Sequence, residues 1–228
     1  MKKQDFIFIS AIILIILPFA VSDTIYHSYK IFNSQNGMII SFIKFGVLAT
    51  LGEILGLRIM TGDYTRKGFG VFPRAIIWGI LGMGINIAMI VFSKGVPHFF
   101  EYMGMDNSTQ IMKASLSISK VMLALSISVA MNLIFAPVFM TFHKITDMHI
   151  LNCSGSIRSL VTPIPMTKII TGLNWDTQWN FVFKKTIPFF WIPAHTITFL
   201  LPEEIRVLFA ALLGVALGIL LAIAARMK

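Results

Sequence analysis

Six long apolar runs, each interrupted by only a few polar side chains, dominate this sequence. They cover residues 6–22, 37–60, 71–96, 121–142, 179–201 and 205–225. A helix needs about 20 predominantly apolar residues to cross the hydrocarbon core of a bilayer. Hydrophobic residues make up 56% of the chain and charged residues 13%, a balance untypical of soluble domains. The sequence therefore predicts an all-α membrane protein, a bundle of about six transmembrane helices in a single polytopic domain over residues 1–228.

The first and fifth runs have features of their own. Lys2 and Lys3 precede the first run, which ends near Ala20 in the manner of a signal peptide. Cleavage there is one interpretation, but because further apolar runs follow, we interpret this run as a retained helix. In the fifth run, Pro188 and Pro193 each remove a backbone donor. We expect this helix to be kinked or partly unwound, with both prolines as hinge candidates.

Basic residues between the runs indicate an orientation. If the N-terminus is in the cytoplasm, most of the basic residues lie on the cytoplasmic side of the membrane: Lys2, Lys3, Arg58, Arg66, Lys67, Arg74, Lys144, Arg158, Lys168, Lys184, Lys185, Arg226 and Lys228. Cytoplasmic loops carry such an excess of Lys and Arg, so both termini are predicted to be cytoplasmic. Lys94, Lys113 and Lys120 are the exceptions. The start lacks the Arg- and Ser-rich pattern of an organelle transit peptide, which favours a bacterial inner membrane.

The formal net charge of +9 does not indicate a nucleic-acid partner. The basic residues occur singly or in pairs between apolar runs, without the interleaved aromatic residues of a nucleic-acid surface. We therefore expect the lipid bilayer as the main partner and no nucleic acid. A homo-oligomer or a membrane partner chain remains open.

Glu53, in the middle of the second run, is the strongest candidate for a functional residue. A carboxylate in mid-span costs several kcal/mol (~3 on insertion scales) and is usually directed toward a partner or a water-filled path. Glycines at positions 52 and 56 flank it, which permits close approach of another helix. The alternative is an ion pair that joins helices, for which the candidates are Lys44, Arg58 and Arg74.

Three further polar residues lie inside apolar runs: Asn86, Asn132 and His195. Each is a candidate either for lining a pore or for pairing helices through hydrogen bonds, and pairing is the more common role of such residues. Trp191 and the aromatic residues near it are typical of a belt at the boundary between water and lipid.

Signals for catalysis and for bound groups are weak. His143, Asp147, His149 and Cys153 follow one another after the fourth run, but no second cluster completes a closed metal site. There is no phosphate-binding glycine loop and no nucleophile elbow. We therefore predict no metal, no cofactor, no catalytic residues and no enzymatic activity, and we rank a membrane enzyme that uses the His143 region last.

Four short segments have a pattern found together in one family. They are Gly62-Asp63, Phe92–Pro97, Phe135–Phe139, and Asn174-Trp175 followed by Leu201-Pro202 and Arg206. The third, Phe-Ala-Pro-Val-Phe, is the clearest. Met131-Asn132 stands before it where the family has an Asp-Gln pair.

These segments resemble the peroxisomal membrane protein family that includes the mitochondrial inner-membrane protein whose loss depletes mitochondrial DNA. The resemblance implies a four-helix core formed by the second, third and fourth runs with the region of the fifth and sixth, after an additional N-terminal span. It also implies a weakly selective channel for small solutes.

Two functions of different classes are compatible with these patterns. The leading hypothesis is a channel or permease for small solutes, with Glu53, Asn132 and His195 along a polar passage between glycine-faced helices. The alternative is a non-transporting membrane scaffold or accessory subunit, in which the same buried polar groups only join helices.

Overall fold

The computed structural model describes residues 3–226, and its regular structure is helical throughout. Lys2 and Lys228, two of the predicted orienting residues, lie outside the described residues. The α-helices are α1 (Lys3–Val21), α2 (Asp23–Gln35), α3 (Gly37–Thr61), α4 (Val71–Tyr102), α5 (Ser108–Lys113), α6 (Ile118–Ile134), α7 (Ala136–Asn152), α8 (Met166–Thr171), α9 (Trp175–Thr177), α10 (Ile192–Leu200) and α11 (Glu203–Arg226). A 3-10 helix covers Ile157–Leu160 and a π-helix covers Gln178–Trp191.

Several of these helices could cross a membrane. By length and composition α3, α4 and the Glu203–Ile223 part of α11 qualify on their own, and two bent pairs, α1 with α2 and α6 with α7, raise the number to as many as five. The predicted all-α fold is confirmed, and the apolar helices suggest a membrane protein. The predicted bundle of six spans is not confirmed.

The fourth apolar run, predicted as one helix over residues 121–142, forms two helices that meet at Phe135. α6 and α7 are bent by 46° relative to each other. Pro137 lies in the first turn of α7 and has no backbone N–H to donate to the preceding turn. The break therefore lies where the proline interrupts the hydrogen-bond ladder, and α7 continues ten residues beyond the predicted end, to Asn152.

The fifth run, predicted as residues 179–201, consists of the π-helix and α10 in succession. The π-helix has 14 residues and α10 has nine, so neither alone reaches the length of a membrane span. Pro188 lies inside the π-helix, and Pro193 lies in the first turn of α10, which follows the π-helix directly. A kink at these prolines is not confirmed and stays a prediction.

Contacts divide the chain into two compact units, Met1–Ile40 and Ser41–Lys228. In the second unit, α6 packs against α4 and α10. Its core includes Phe45, Ile85, Ala124, Ile127, Met131, Phe199 and Ala211. Ala124 and Ile127 have no exposed surface, so α6 lies at the centre of this unit.

Glycines allow backbones of the second unit to approach closely. A Cβ atom built on Gly52 of α3 would lie 2.9 Å from the Val215 Cα of α11, too close for any side chain. Gly70, just before α4, and Gly155, just after α7, both have positive φ, and a Cβ on Gly155 would lie 2.7 Å from the Gly70 nitrogen. This second contact holds the start of α4 beside the end of α7.

Candidate functional site

A cavity of about 320 Å³ lies between the helices of the second unit. Its walls come from α3, α4, α6, α7, the π-helix, α10 and α11. Most of the lining is apolar; the residues with polar side-chain atoms are Glu53, Trp78, Asn132, His143, Lys144, Gln178, Thr186, Trp191 and His195. The volume lies within the range of small-molecule sites. The structure thus places Glu53, Asn132 and His195 on the wall of one cavity.

Glu53 belongs to a group of charged residues on three helices, which we term the ionic cluster: Glu53, Arg74, His143, Lys144 and Asp147. Arg74 Nη1 lies 2.5 Å from Glu53 Oε2, and Arg74 Nη2 forms a second ion pair with Asp147 Oδ1. The Arg74 side chain is only 6% exposed. One buried guanidinium therefore joins α3, α4 and α7.

The second carboxylate oxygen of Glu53 is also hydrogen-bonded. Trp78 Nε1 donates to Glu53 Oε1 at 2.9 Å, and His143 Nε2 lies 3.3 Å from the same atom. The Trp78 and His143 rings contact each other with centroids 4.3 Å apart. Both oxygens of a carboxylate inside an apolar helix thus have donors, which offsets the cost of burying it.

The formal charges of the ionic cluster nearly cancel. Lys144 Nζ lies 3.2 Å from Asp147 Oδ2, so two cations, Arg74 and Lys144, face two carboxylates, Glu53 and Asp147. The formal charges of these four side chains sum to zero. This end of the cavity therefore has strong local dipoles but no excess of either charge.

The three predicted ion-pair candidates lie in different surroundings. Arg74 pairs with Glu53 as described, although the sequence also placed it among the solvated residues that orient helices. Arg58 donates to the Gly62 carbonyl and lies over the Tyr64 ring. Lys44 is buried on α3, with 8% of its surface exposed.

Asn132 and His195 contact each other across the interface of α6 and α10. Asn132 Nδ2 lies 3.0 Å from His195 Nδ1, and it donates to the Ser128 carbonyl oxygen at 2.9 Å. Ser128 Oγ donates to the Ile192 carbonyl at 2.7 Å. His195 Nδ1 also lies 3.3 Å from Asn132 Oδ1, so both polar atoms of the Asn132 amide are within hydrogen-bond distance of this ring nitrogen.

Two donors on the cavity wall have no hydrogen-bond partner in the part of the chain that the structure describes. They are Gln178 Nε2 and Trp191 Nε1. Gln178 is 7% exposed, and Trp191 stacks on His195 with ring centroids 5.1 Å apart. A buried donor without a partner costs on the order of 1–3 kcal/mol.

Sequence reasoning missed several of these residues. It placed Trp191 in a boundary belt and did not single out Trp78 or Gln178. Trp78 follows Arg74 by one helical turn, and Asp147 follows His143 by one turn, so each pair shares a helix face. That spacing was a usable signal, whereas no pattern distinguishes Gln178 from an exposed loop residue.

The remaining predicted residues lie away from the cavity wall. Asn86 is buried on α4, and Pro188 and Pro193 are not among the lining residues. His149 Nε2 lies 3.0 Å from the Ser159 carbonyl oxygen and 3.9 Å from Cys153 Sγ. Within residues 3–226, no three His, Cys, Asp or Glu side chains are grouped to hold a metal ion.

Comparison of the chain with family models, with curated proteins and with solved structures finds no match.

Proposed function

We propose that this chain is a weakly selective membrane channel or permease for small solutes, and that the cavity of the second unit is part of its passage. The observation that carries the proposal is the position of Glu53, Asn132 and His195 on the wall of one cavity, between helices apolar enough to enter a bilayer. Ionisable and polar residues inside membrane helices usually face a cavity or one another.

The composition of the wall supports weak selectivity. Apolar side chains such as Phe45, Met131 and Leu217 form most of it. Such a surface excludes solutes by size more than by chemical identity, because few polar groups are present to discriminate.

The segment that most resembles the solute-channel family also supports the proposal. Phe135, Ala136 and Phe139 all line the cavity, and the Phe135 and Phe139 rings stack with centroids 5.3 Å apart. We propose a distant relationship to that family, a bacterial inner membrane location and cytoplasmic termini. The basic residues that remain exposed between helices, such as Arg158, support this orientation.

Reconstitution of the purified protein into liposomes tests the proposal. Swelling of these liposomes in a small solute should be faster than that of liposomes without protein. Glu53→Gln and His195→Ala should change the rate, because both alter the cavity wall. Absence of flux in the wild type, or identical rates for the wild type and both variants, would show that no passage runs here.

A scaffold or accessory subunit is the second candidate, and a specific observation favours it. Arg74 joins three helices, and Asn132 pairs with His195 across two more, so these polar groups have a structural role without any transport. Under this hypothesis, mild detergent extraction yields a stoichiometric partner chain, and Glu53→Gln lowers thermal stability without an effect on flux.

A further inference from the structure

The second helix of the first unit, α2, has two faces that differ in polarity. One face is a polar stripe formed by side chains at helical spacing: Asp23, His27, Lys30 and Ser34. The opposite face is an apolar stripe, also at helical spacing: Ile25, Tyr29 and Phe32. Residues three and four positions apart share a helix face, so α2 is amphipathic along its whole length. Such a helix is suited to a boundary between water and an apolar phase.

The apolar stripe remains accessible in the part of the chain that the structure describes. No residue of α2 is buried among these residues. Ile25 and Phe32 are 43% and 44% exposed. Adjacent apolar side chains that stay exposed together mark a surface that another phase or molecule covers.

The preceding helix, α1, indicates that this cover is lipid. α1 has 19 residues and is about 28 Å long, close to the ~30 Å hydrocarbon core of a bilayer. Large apolar side chains are exposed along its length, among them Phe6, Leu14 and Val21. A helix that is apolar on all sides and exposed on all sides is suited to lipid.

The connection between the two helices sets the direction of α2. Only Ser22 separates them, and its hydroxyl accepts a hydrogen bond from the Ile25 N–H at 3.3 Å, which caps the start of α2. α2 is bent by 86° relative to α1. With α1 across the bilayer, this bend places α2 along the membrane surface. Its 13 residues, about 20 Å, are too few to cross the core.

The contact between α1 and α2 shows which face of α2 is turned toward the membrane. The Tyr29 ring packs edge-on against the Phe19 ring of α1, with centroids 5.5 Å apart. The apolar stripe, to which Tyr29 belongs, therefore points back along α1, and the polar stripe points away from it. Tyrosine is also enriched where membrane and water meet.

We infer that α2 is an interfacial helix, which lies in the plane of the membrane with its apolar stripe among the lipid acyl chains and its polar stripe in water. α2 is then a surface anchor between α1 and α3 and not the second half of a bent span. The inference requires α1 in a bilayer but does not depend on transport, so a failure of the flux experiments leaves it in place.

Spin labels on single cysteines of the full-length protein test it, in the Cys153→Ser background and in vesicles of phosphatidylethanolamine and phosphatidylglycerol. Ile25→Cys and Phe32→Cys report on the apolar stripe, and His27→Cys and Ser34→Cys are the matched controls on the same helix. Collisions with oxygen, which concentrates in lipid, are compared with collisions with a water-soluble nickel chelate. Labels on the apolar stripe should favour oxygen and lie about 5–10 Å below the headgroup boundary. Labels on the polar stripe should favour the nickel chelate.

Three results would overturn the inference. Access of the nickel chelate to all four positions would place α2 in water. Exclusion of both reagents at Ile25 and Phe32 would show that protein, from this chain or a second copy, covers the stripe. A preference for oxygen at all four positions would place α2 inside the hydrocarbon core. A size-exclusion profile identical to that of the Cys153→Ser background shows that a labelled variant is folded, and Tyr29→Cys replaces either apolar-stripe variant that is not.

Discussion

At Arg74, one guanidinium contacts two carboxylates that belong to different helices, Glu53 on α3 and Asp147 on α7. Removal of the guanidinium leaves both carboxylates with fewer partners in a largely buried site, whereas neutralisation of Glu53 leaves Arg74 with Asp147. The two substitutions should therefore lower the stability by different amounts, although both break the ion pair between Arg74 and Glu53.

We expect Arg74→Met to destabilise the protein by about 3–5 kcal/mol, the cost of removing one partner of a buried pair. Glu53→Gln should cost about 1–2 kcal/mol, because the amide can still accept from Trp78. Thermal unfolding in detergent measures both, with the exposed Arg158→Met as the control. Equal losses for the two variants would show that Arg74 does not bridge the carboxylates.

The Asn132–His195 pair allows a second prediction. Asn132→Leu removes the hydrogen-bond partner of His195 Nδ1 and should cost about 1–3 kcal/mol. The double variant with His195→Leu should cost less than the sum of the single variants, because neither group is then left unpaired. Additive losses in the double-mutant cycle would argue against a direct contact.

The sequence identified Glu53, Asn132 and His195 because polar groups inside apolar runs are conspicuous. It could not choose among Lys44, Arg58 and Arg74 as partners, since that choice depends on how α3 and α4 pack. Gln178 was not identified because it directly precedes the predicted fifth run, and Trp191, inside that run, was interpreted as part of an aromatic belt because no local pattern distinguishes a lipid-facing tryptophan from one that lines a cavity.

At the level of elements, backbone contact between α3 and α11 depends on the absence of side chains. Gly52 lies against the Val215 backbone. A Cβ atom built on Gly218 would lie 3.4 Å from the Gly52 carbonyl oxygen. Gly214, one turn before Gly218 on α11, takes no part in this contact, because a Cβ built on it meets nothing within 4 Å.

Gly52→Ala and Gly84→Ala form a matched pair. Both glycines lie inside long helices, but a Cβ on Gly84 also meets nothing within 4 Å. Gly84→Ala should be neutral or stabilise the protein by up to about 1 kcal/mol through helix propensity. Gly52→Ala should destabilise it by about 1–3 kcal/mol, because the two helices must separate. Equal thermal unfolding temperatures would refute the close contact.

The positions of helix breaks were only partly predictable. The kink expected at the prolines of the fifth run stays a prediction, whereas a bend of 46° that was not predicted lies between α6 and α7 beside Pro137. A proline interrupts the hydrogen-bond ladder where its N–H would have been used.

For the molecule as a whole, apolar run length predicted an all-helical chain with helices suited to a membrane. It did not predict the number of spans, because that depends on whether bent pairs act as single spans. The cavity is a property of how seven helical segments assemble, and its existence could not be derived from any one of them.

Gly214 offers the most direct test of the central claim, that solutes pass through this cavity. Gly214 lies on the α11 face that also presents Ala210, Leu217 and Leu221 to the cavity. Because a Cβ there meets open space, a leucine at this position can project into the passage without displacing a helix.

The measurement is the flux of a small solute into liposomes that contain Gly214→Leu, compared with Gly84→Leu, whose side chain also has room but lies outside the cavity wall. We predict that Gly214→Leu reduces flux toward that of empty liposomes, whereas Gly84→Leu retains the wild-type rate. Undiminished flux through a stable, folded Gly214→Leu variant would contradict the account.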